Sequence, residues 1–192
     1  MQQLILIRHA ATDMAGTLCG ESDPPLNSIG REQADMLALS LRGSGFRRLY
    51  TSDLQRAIQT AQALARLWDV DIVTRAELRE IRFGRWEGKC WSQILMERPD
   101  MTPPKTVREF CTPGGELFEC FRERVLRVID EIVTECDGEP APVVTHLGVI
   151  LLALNEISSG SQVLPAPQRI GHCSIHYISF EAGLKLPLVE PT

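Results

Sequence analysis

Two histidines and a few charged side chains stand where chemistry is easiest to build. Arg8-His9 follows a short apolar run at 3–8, Thr51-Ser52 closes a second run at 47–51, and Thr145-His146 closes a third at 141–145. A neutral imidazole is a good nucleophile near neutral pH, and a neighbouring guanidinium supplies fixed positive charge, so this pairing suits transfer of an anionic group. Each histidine alone has an ordinary reading, capping a turn or bonding a carbonyl. Two of them at the ends of two strands favour a shared site.

Arg56 strengthens that reading. It falls in the first turn of an expected helix, where the helix dipole disfavours a cation and a bound anion resolves the conflict. The competing explanation is a surface salt bridge with Asp53, which is common and contributes little. Glu80, in Leu78-Arg79-Glu80-Ile81-Arg82-Phe83-Gly84, cannot be promoted above an exposed charge by composition alone.

The elements that must position these residues alternate along the chain. The run at 3–8 is apolar without alternation, as a strand buried on both faces should be. Asn27 can cap a helix reaching about Arg42, with Ala34, Leu37, Ala38 and Leu41 on one face. Ser52 and Gln55 read as a capping box for a helix striped by Leu54, Ala57, Ile58, Ala61, Leu64, Ala65 and Trp68. A third strand is expected at 70–73. The segment 84–114, with Pro99, Pro103, Pro104 and Pro113, reads as an excursion near the site holding one short helix at 91–97. A long helix from Gly115 turns Phe118, Phe121, Val125, Ile129, Ile132 and Cys136 inward. The strand at 141–145, a buried helix at 148–154 and a late, edge-type strand at 174–180 complete the chain.

Strands alternating with helices predict an α/β three-layer sandwich: a mostly parallel central sheet with helices on both faces. Ligands in such sheets bind beyond the carboxyl ends of the strands, where the two histidines fall. The 192 residues suffice for one domain spanning 1–192.

A net charge of −5 argues against non-specific nucleic-acid binding, so any anion site must be local. No apolar run approaches the roughly 18 residues needed to span a bilayer, and the opening residues lack a signal-peptide pattern, which implies a cytoplasmic protein. The six cysteines form no CxxC pair and read as free thiols. His172 and His176, four apart in a presumed strand, share one face; packing or hydrogen bonding outweighs a metal pair there, because no third ligand is apparent. Trp86 and Trp91 are readable as aromatics that stack on a substrate ring or, at least equally well, as packing of the excursion.

Four stretches together resemble the histidine phosphatase, or phosphoglycerate mutase-like, superfamily: Leu6-Ile7-Arg8-His9-Ala10-Ala11-Thr12, the run from Thr51 to Thr60, Glu80-Ile81-Arg82-Phe83-Gly84-Arg85-Trp86-Glu87-Gly88, and Val144-Thr145-His146. Pro25 to Gly30 and Gly114-Gly115-Glu116 also look like family landmarks. The short chain and the Phe83 to Gly88 run look most similar to α-ribazole phosphatases of cobalamin synthesis.

The resemblance implies that His9 attacks phosphorus, Glu80 protonates the leaving group and then activates water, and Arg8, Arg56 and His146 hold the phosphoryl oxygens. It adds Thr12 and Leu147 to the substrate-binding set. The scheme requires neither metal nor cofactor. The expected partner is a small phosphorylated substrate, neither nucleic acid nor membrane, with a homodimer left open.

The chain departs from the family pattern at Ala10, Ala11, Ala15, Leu117, Leu147 and His172, which places substrate choice and rate in question. Two rivals follow: a phosphoglycerate mutase, which needs a site closed to water, and a silent phospho-ligand binding module, which gains little from keeping both His9 and Glu80.

Overall fold

The computed structural model describes residues 2–43, 45–102, 107–109, 112–157 and 170–180. Five strands, β1 (Gln2–Arg8), β2 (Arg48–Thr51), β3 (Asp71–Thr74), β4 (Ala141–Thr145) and β5 (Ile175–Phe180), form one sheet in the order β3-β2-β4-β1-β5. All pairings are parallel except that of β5 with β1, so β5 is the antiparallel edge strand.

The unbroken apolar run of β1 divides between two cores, because successive side chains point to opposite faces. Leu4 and Leu6 join the core formed with α4 (Phe118–Glu135) and α5 (Leu147–Ile157), together with Phe121, Val125, Ile129 and Ile150. Ile5 and Ile7 face α1 (Ser28–Ser40) and α2 (Gln55–Trp68), among Leu37, Ala38, Ala57, Ala61 and Leu64. The three-layer sandwich expected from the sequence is what forms.

The strand order explains the position of the site. β2, β4 and β1 are neighbours, with Arg8 paired to Thr145 and Thr51 to Val144. After β1 the chain crosses to the α1 face, whereas after β4 it enters α5 on the opposite face. Diverging connections leave a switch point between two adjacent strand ends, and His9 and His146 are the residues that directly follow those ends.

Asn27 caps α1 by accepting a hydrogen bond from the Gly30 amide at 2.8 Å, as expected. The start of α2 differs from the sequence reading. The helix begins at Gln55, not after Ser52, and its first amide is capped by Asp23 Oδ1 at 2.5 Å. Ser52 Oγ instead accepts from the Leu54 amide.

The excursion carries α3 (Trp91–Glu97), anchored by the fully buried Ile94. Trp86 is 5% exposed and meets Trp91 edge-on at 6.0 Å, so these aromatics pack the excursion onto the core. Residues 103–106, 110 and 111 of the excursion lie outside the described residues, as does Cys111 among the expected thiols; the other five cysteines are free. Gly84, at φ +53°, lets this segment turn directly against the backbone of Gly114 and Gly115.

Candidate active site

His9 leaves the end of β1 with its amide bonded to Thr145 O at 2.9 Å, which fixes its position relative to β4. It is 8% exposed. Nδ1 lies 2.8 Å from Ala10 O. A carbonyl can only accept, so Nδ1 carries the proton and Nε2 keeps its lone pair. Burial, then the charge of Arg56, holds the imidazole well below its usual pKa and therefore neutral. The loop after it is tied to the helices, with the Ala10 amide donating to Thr60 Oγ1 and the Ala11 amide to Gln33 Oε1.

His146, fully buried, lies with its ring centroid 5.1 Å from that of His9. Neither of its ring nitrogens has a partner among the described residues. Burial and then Arg56 depress its pKa as well.

The two arginines are held by carbonyls. Arg8 Nη1 donates to Ile170 O. Arg56, 1% exposed, donates to Ser22 O, Cys19 O and Gly20 O at 2.7–3.2 Å. Its presumed surface partner, Asp53, is instead clamped by Arg79 through two 2.6 Å bonds. The Nε atoms of Arg8 and Arg56 are buried without partners among the described residues. The loop supplying the carbonyls is itself pinned, because the amides of Gly20 and Ser22 both donate to Glu87 Oε1.

Glu80 is 7% exposed, far from the surface charge that composition allowed. Its carboxylate accepts from the Ile81 amide and, at 3.0–3.1 Å, from the Gly148 amide in the first turn of α5. Burial raises its pKa, opposed by those amides and by Arg56 and Arg8. Gly148 is a functional position that the sequence reading missed: any Cβ there would overlap Glu80 Oε1. The His146-x-Gly148 spacing after a strand was the available signal.

The remaining candidates are placed differently. Thr12 is buried, and its Oγ1 accepts from the Met14 amide, so it braces its own loop. Leu147 opens α5 with its side chain against the core, while the next residue supplies the amide that meets Glu80. His172 precedes β5 in a turn and cannot share a strand face with His176 as expected. Its ring lies 5.4 Å from that of His9, and burial followed by Arg8 lowers its pKa to about 4. His176 bonds Ser174 Oγ at 3.0 Å. No group of three metal-ligating side chains occurs among the described residues, nor is any described helix long and apolar enough to cross a membrane.

Comparisons with known proteins identify the family. The model of the family described as histidine phosphatase superfamily (branch 1) matches residues 4–186. A bifunctional protein of Mycobacterium tuberculosis is 33% identical over 168 residues, covering 84% of this chain; the chain spans about half of that relative, 46% of its length. The adenosylcobalamin/alpha-ribazole phosphatase of Salmonella typhimurium is 31% identical over 161 residues, covering 79% of this chain and 77% of the relative. Among solved structures, a mycobacterial glucosyl-3-phosphoglycerate phosphatase superposes with a TM-score of 0.79 at 26% identity, covering 95% of this chain and 92% of that one.

Proposed function

The chain belongs to the histidine phosphatase superfamily (branch 1), and from that premise we propose that it hydrolyses phosphomonoesters without a metal ion, through a phosphohistidine on His9. The observation that carries the reading is His9 Nε2, with its lone pair free, in the field of Arg56 and Arg8 and beside the His146 ring, where the Nε atoms of both arginines and the His146 ring nitrogens are buried without a partner among the described residues. Each buried N–H left without an acceptor costs about 1–3 kcal/mol. Phosphoryl oxygens at those positions relieve that cost, most fully when charge spreads over them in the transition state.

In the first transfer, His9 Nε2 forms a bond to phosphorus as the P–O ester bond breaks, and protonated Glu80 gives its proton to the departing oxygen. In the second, the Glu80 carboxylate takes a proton from water while the water oxygen bonds to phosphorus and the P–N bond breaks. Orthophosphate leaves, with His9 neutral and Glu80 protonated again. Burial of Glu80 supports the acid role, and its α5 amide contacts support the carboxylate needed for the second step. α-Ribazole 5'-phosphate is the first physiological ester to test, on the strength of the Salmonella typhimurium relative's name.

Hydrolysis of p-nitrophenyl phosphate between pH 5 and 8 with EDTA present, comparing wild type with His9→Ala, tests the proposal. Activity that survives chelation and vanishes in the variant is expected. An inactive wild type, or a variant that remains active, would overturn it.

A further inference from the structure

Glu80 does not stand on a rigid element. It follows a single 3-10 turn (Ala76–Leu78), and residues 79–83 belong to no strand or α-helix. Sites built on irregular backbone are less sharply positioned than those on helices or strands unless packing and hydrogen bonds lock them. The carbonyls of this segment also have no ladder to satisfy them.

One side chain answers both needs. Arg124, on α4, uses all five of its N–H donors. Nη1 donates to Glu77 O at 2.6 Å and to Arg79 O at 2.8 Å, and Nη2 donates to Glu80 O at 3.0 Å. Nε and Nη2 form a fork on the two oxygens of Glu116, at 2.7 and 2.8 Å. Glu116 in turn grips the other side of the acid: its amide donates to Arg82 O at 2.9 Å and its Oε2 accepts from the Arg82 amide at 3.3 Å. The Glu116 side chain is 7% exposed, and the guanidinium carbon lies 4.8 Å above the ring of the fully buried Phe121. Thr145 Oγ1, next to His146, donates to Leu78 O and ties the same segment to β4.

We propose that the Arg124–Glu116 pair is a positioning device for the Glu80 carboxyl, fixing the backbone on both sides of it so that the acid meets the leaving oxygen. Neither residue touches substrate; both act through Glu80. The inference rests on the phosphatase reading and on Glu80 as its proton donor. A lysine cannot replace the arginine, since an ammonium on a flexible stem cannot span three carbonyls and a carboxylate at once.

The test exploits the leaving group. A p-nitrophenolate departs well without a proton, whereas a simple alkoxide does not, so a misplaced acid slows alkyl esters selectively. kcat/KM, which reports the steps up to phosphoenzyme formation, is measured for p-nitrophenyl phosphate and for glycerol 2-phosphate in wild type, Arg124→Lys, Glu116→Gln, Glu80→Gln and the Glu80→Gln/Arg124→Lys double variant. Glu80→Gln sets the scale, with a loss of about 10²–10⁴-fold on the alkyl ester. Arg124→Lys and Glu116→Gln are each expected to lose about tenfold or more on the alkyl ester and less than about threefold on the aryl ester. The selective loss in the double variant should not exceed that of Glu80→Gln alone, because residues acting through one another are not additive.

Equal losses on both esters, no loss on either, or an additive selective loss would overturn the proposal and leave Arg124 a purely structural residue. If Arg124→Lys does not fold, Glu116→Gln, which keeps the side-chain shape, decides. Failure of the parent reading looks different: either wild type hydrolyses neither ester, or Glu80→Gln itself shows no ester selectivity.

Discussion

Replacing Gly148 by alanine should separate catalysis from stability. The added Cβ overlaps Glu80 Oε1 and lies 3.2 Å from Cδ, and the amide of the same residue donates to both carboxylate oxygens. The carboxyl must therefore retreat by about 1 Å, a displacement that can cost about 10²-fold in rate when the group acts on the reacting atoms. The backbone itself has no objection: Gly148 is in α5 and has no left-handed φ. Alanine improves helix propensity by about 1 kcal/mol, which offsets much of the cost of displacing a buried carboxyl. The expected outcome is a fall of about 10²-fold in kcat/KM for glycerol 2-phosphate, with a thermal midpoint within a few degrees of wild type. A variant within about threefold of wild type would refute the reasoning, since it would mean the acid tolerates a displacement that the geometry forces upon it.

Stability should fall on acidification from pH 7 to 5. His9 and His146 have folded pKa values well below the ordinary 6.5, so their contribution is complete above 6.5 and lost as pH falls from there toward the folded values. Each contributes a slope of up to about 1.4 kcal/mol per pH unit. Glu80, raised, has the opposite sign: its contribution is present below its unfolded value and lost as pH rises through the folded one. Thermal melts should therefore show a shallower acid slope in His146→Gln and a steeper one in Glu80→Gln; a flat wild-type profile would contradict both. Orthophosphate at about 100 times its Kd should add about 2.7 kcal/mol, or roughly 5–10 °C in thermal midpoint. Chloride at equal ionic strength should not do so, and Arg8→Gln should abolish most of the shift.

The parts of the fold legible in the sequence were those decided locally. β1 and β4 read correctly because burial on both faces leaves an unbroken apolar run, and Asn27 capped α1 because its target amide is three residues away. What the sequence hid depends on distant chain. The cap of α2 comes from Asp23, 32 residues upstream of Gln55, so Ser52 and Gln55 form a local pattern that the tertiary structure does not use. Glu80 looked like a surface charge because its burial is produced by Gly148, Thr145 and Arg124, none near it in sequence. His172 and His176 were placed on one strand face because a turn, with Cys173 at φ +60°, ends only just before β5. The role proposed for Glu80 comes from the resemblance and not from local reading.

If an acidic protein is to bind an anion as proposed, its own carboxylates must not neutralise the site, and the pairing of the arginines meets that requirement. Arg79 is paired with Asp53, Arg122 with Glu156 and Arg124 with Glu116. Arg8 and Arg56 form no ion pair among the described residues; their guanidinium groups are oriented by the carbonyls of Ile170, Ser22, Cys19 and Gly20. A carbonyl dipole fixes direction without cancelling charge, so both cations keep their full field in a buried, weakly screened place. The same field, added to burial, keeps His9 and His146 neutral, which the nucleophilic role proposed for His9 requires. It also favours the Glu80 carboxylate, so in the proposed mechanism a bound phosphoryl group must counter that field for Glu80 to hold its proton. In the proposed mechanism, substrate binding and acid activation are thus one electrostatic event: the anion that the arginines would attract is the charge that would ready Glu80.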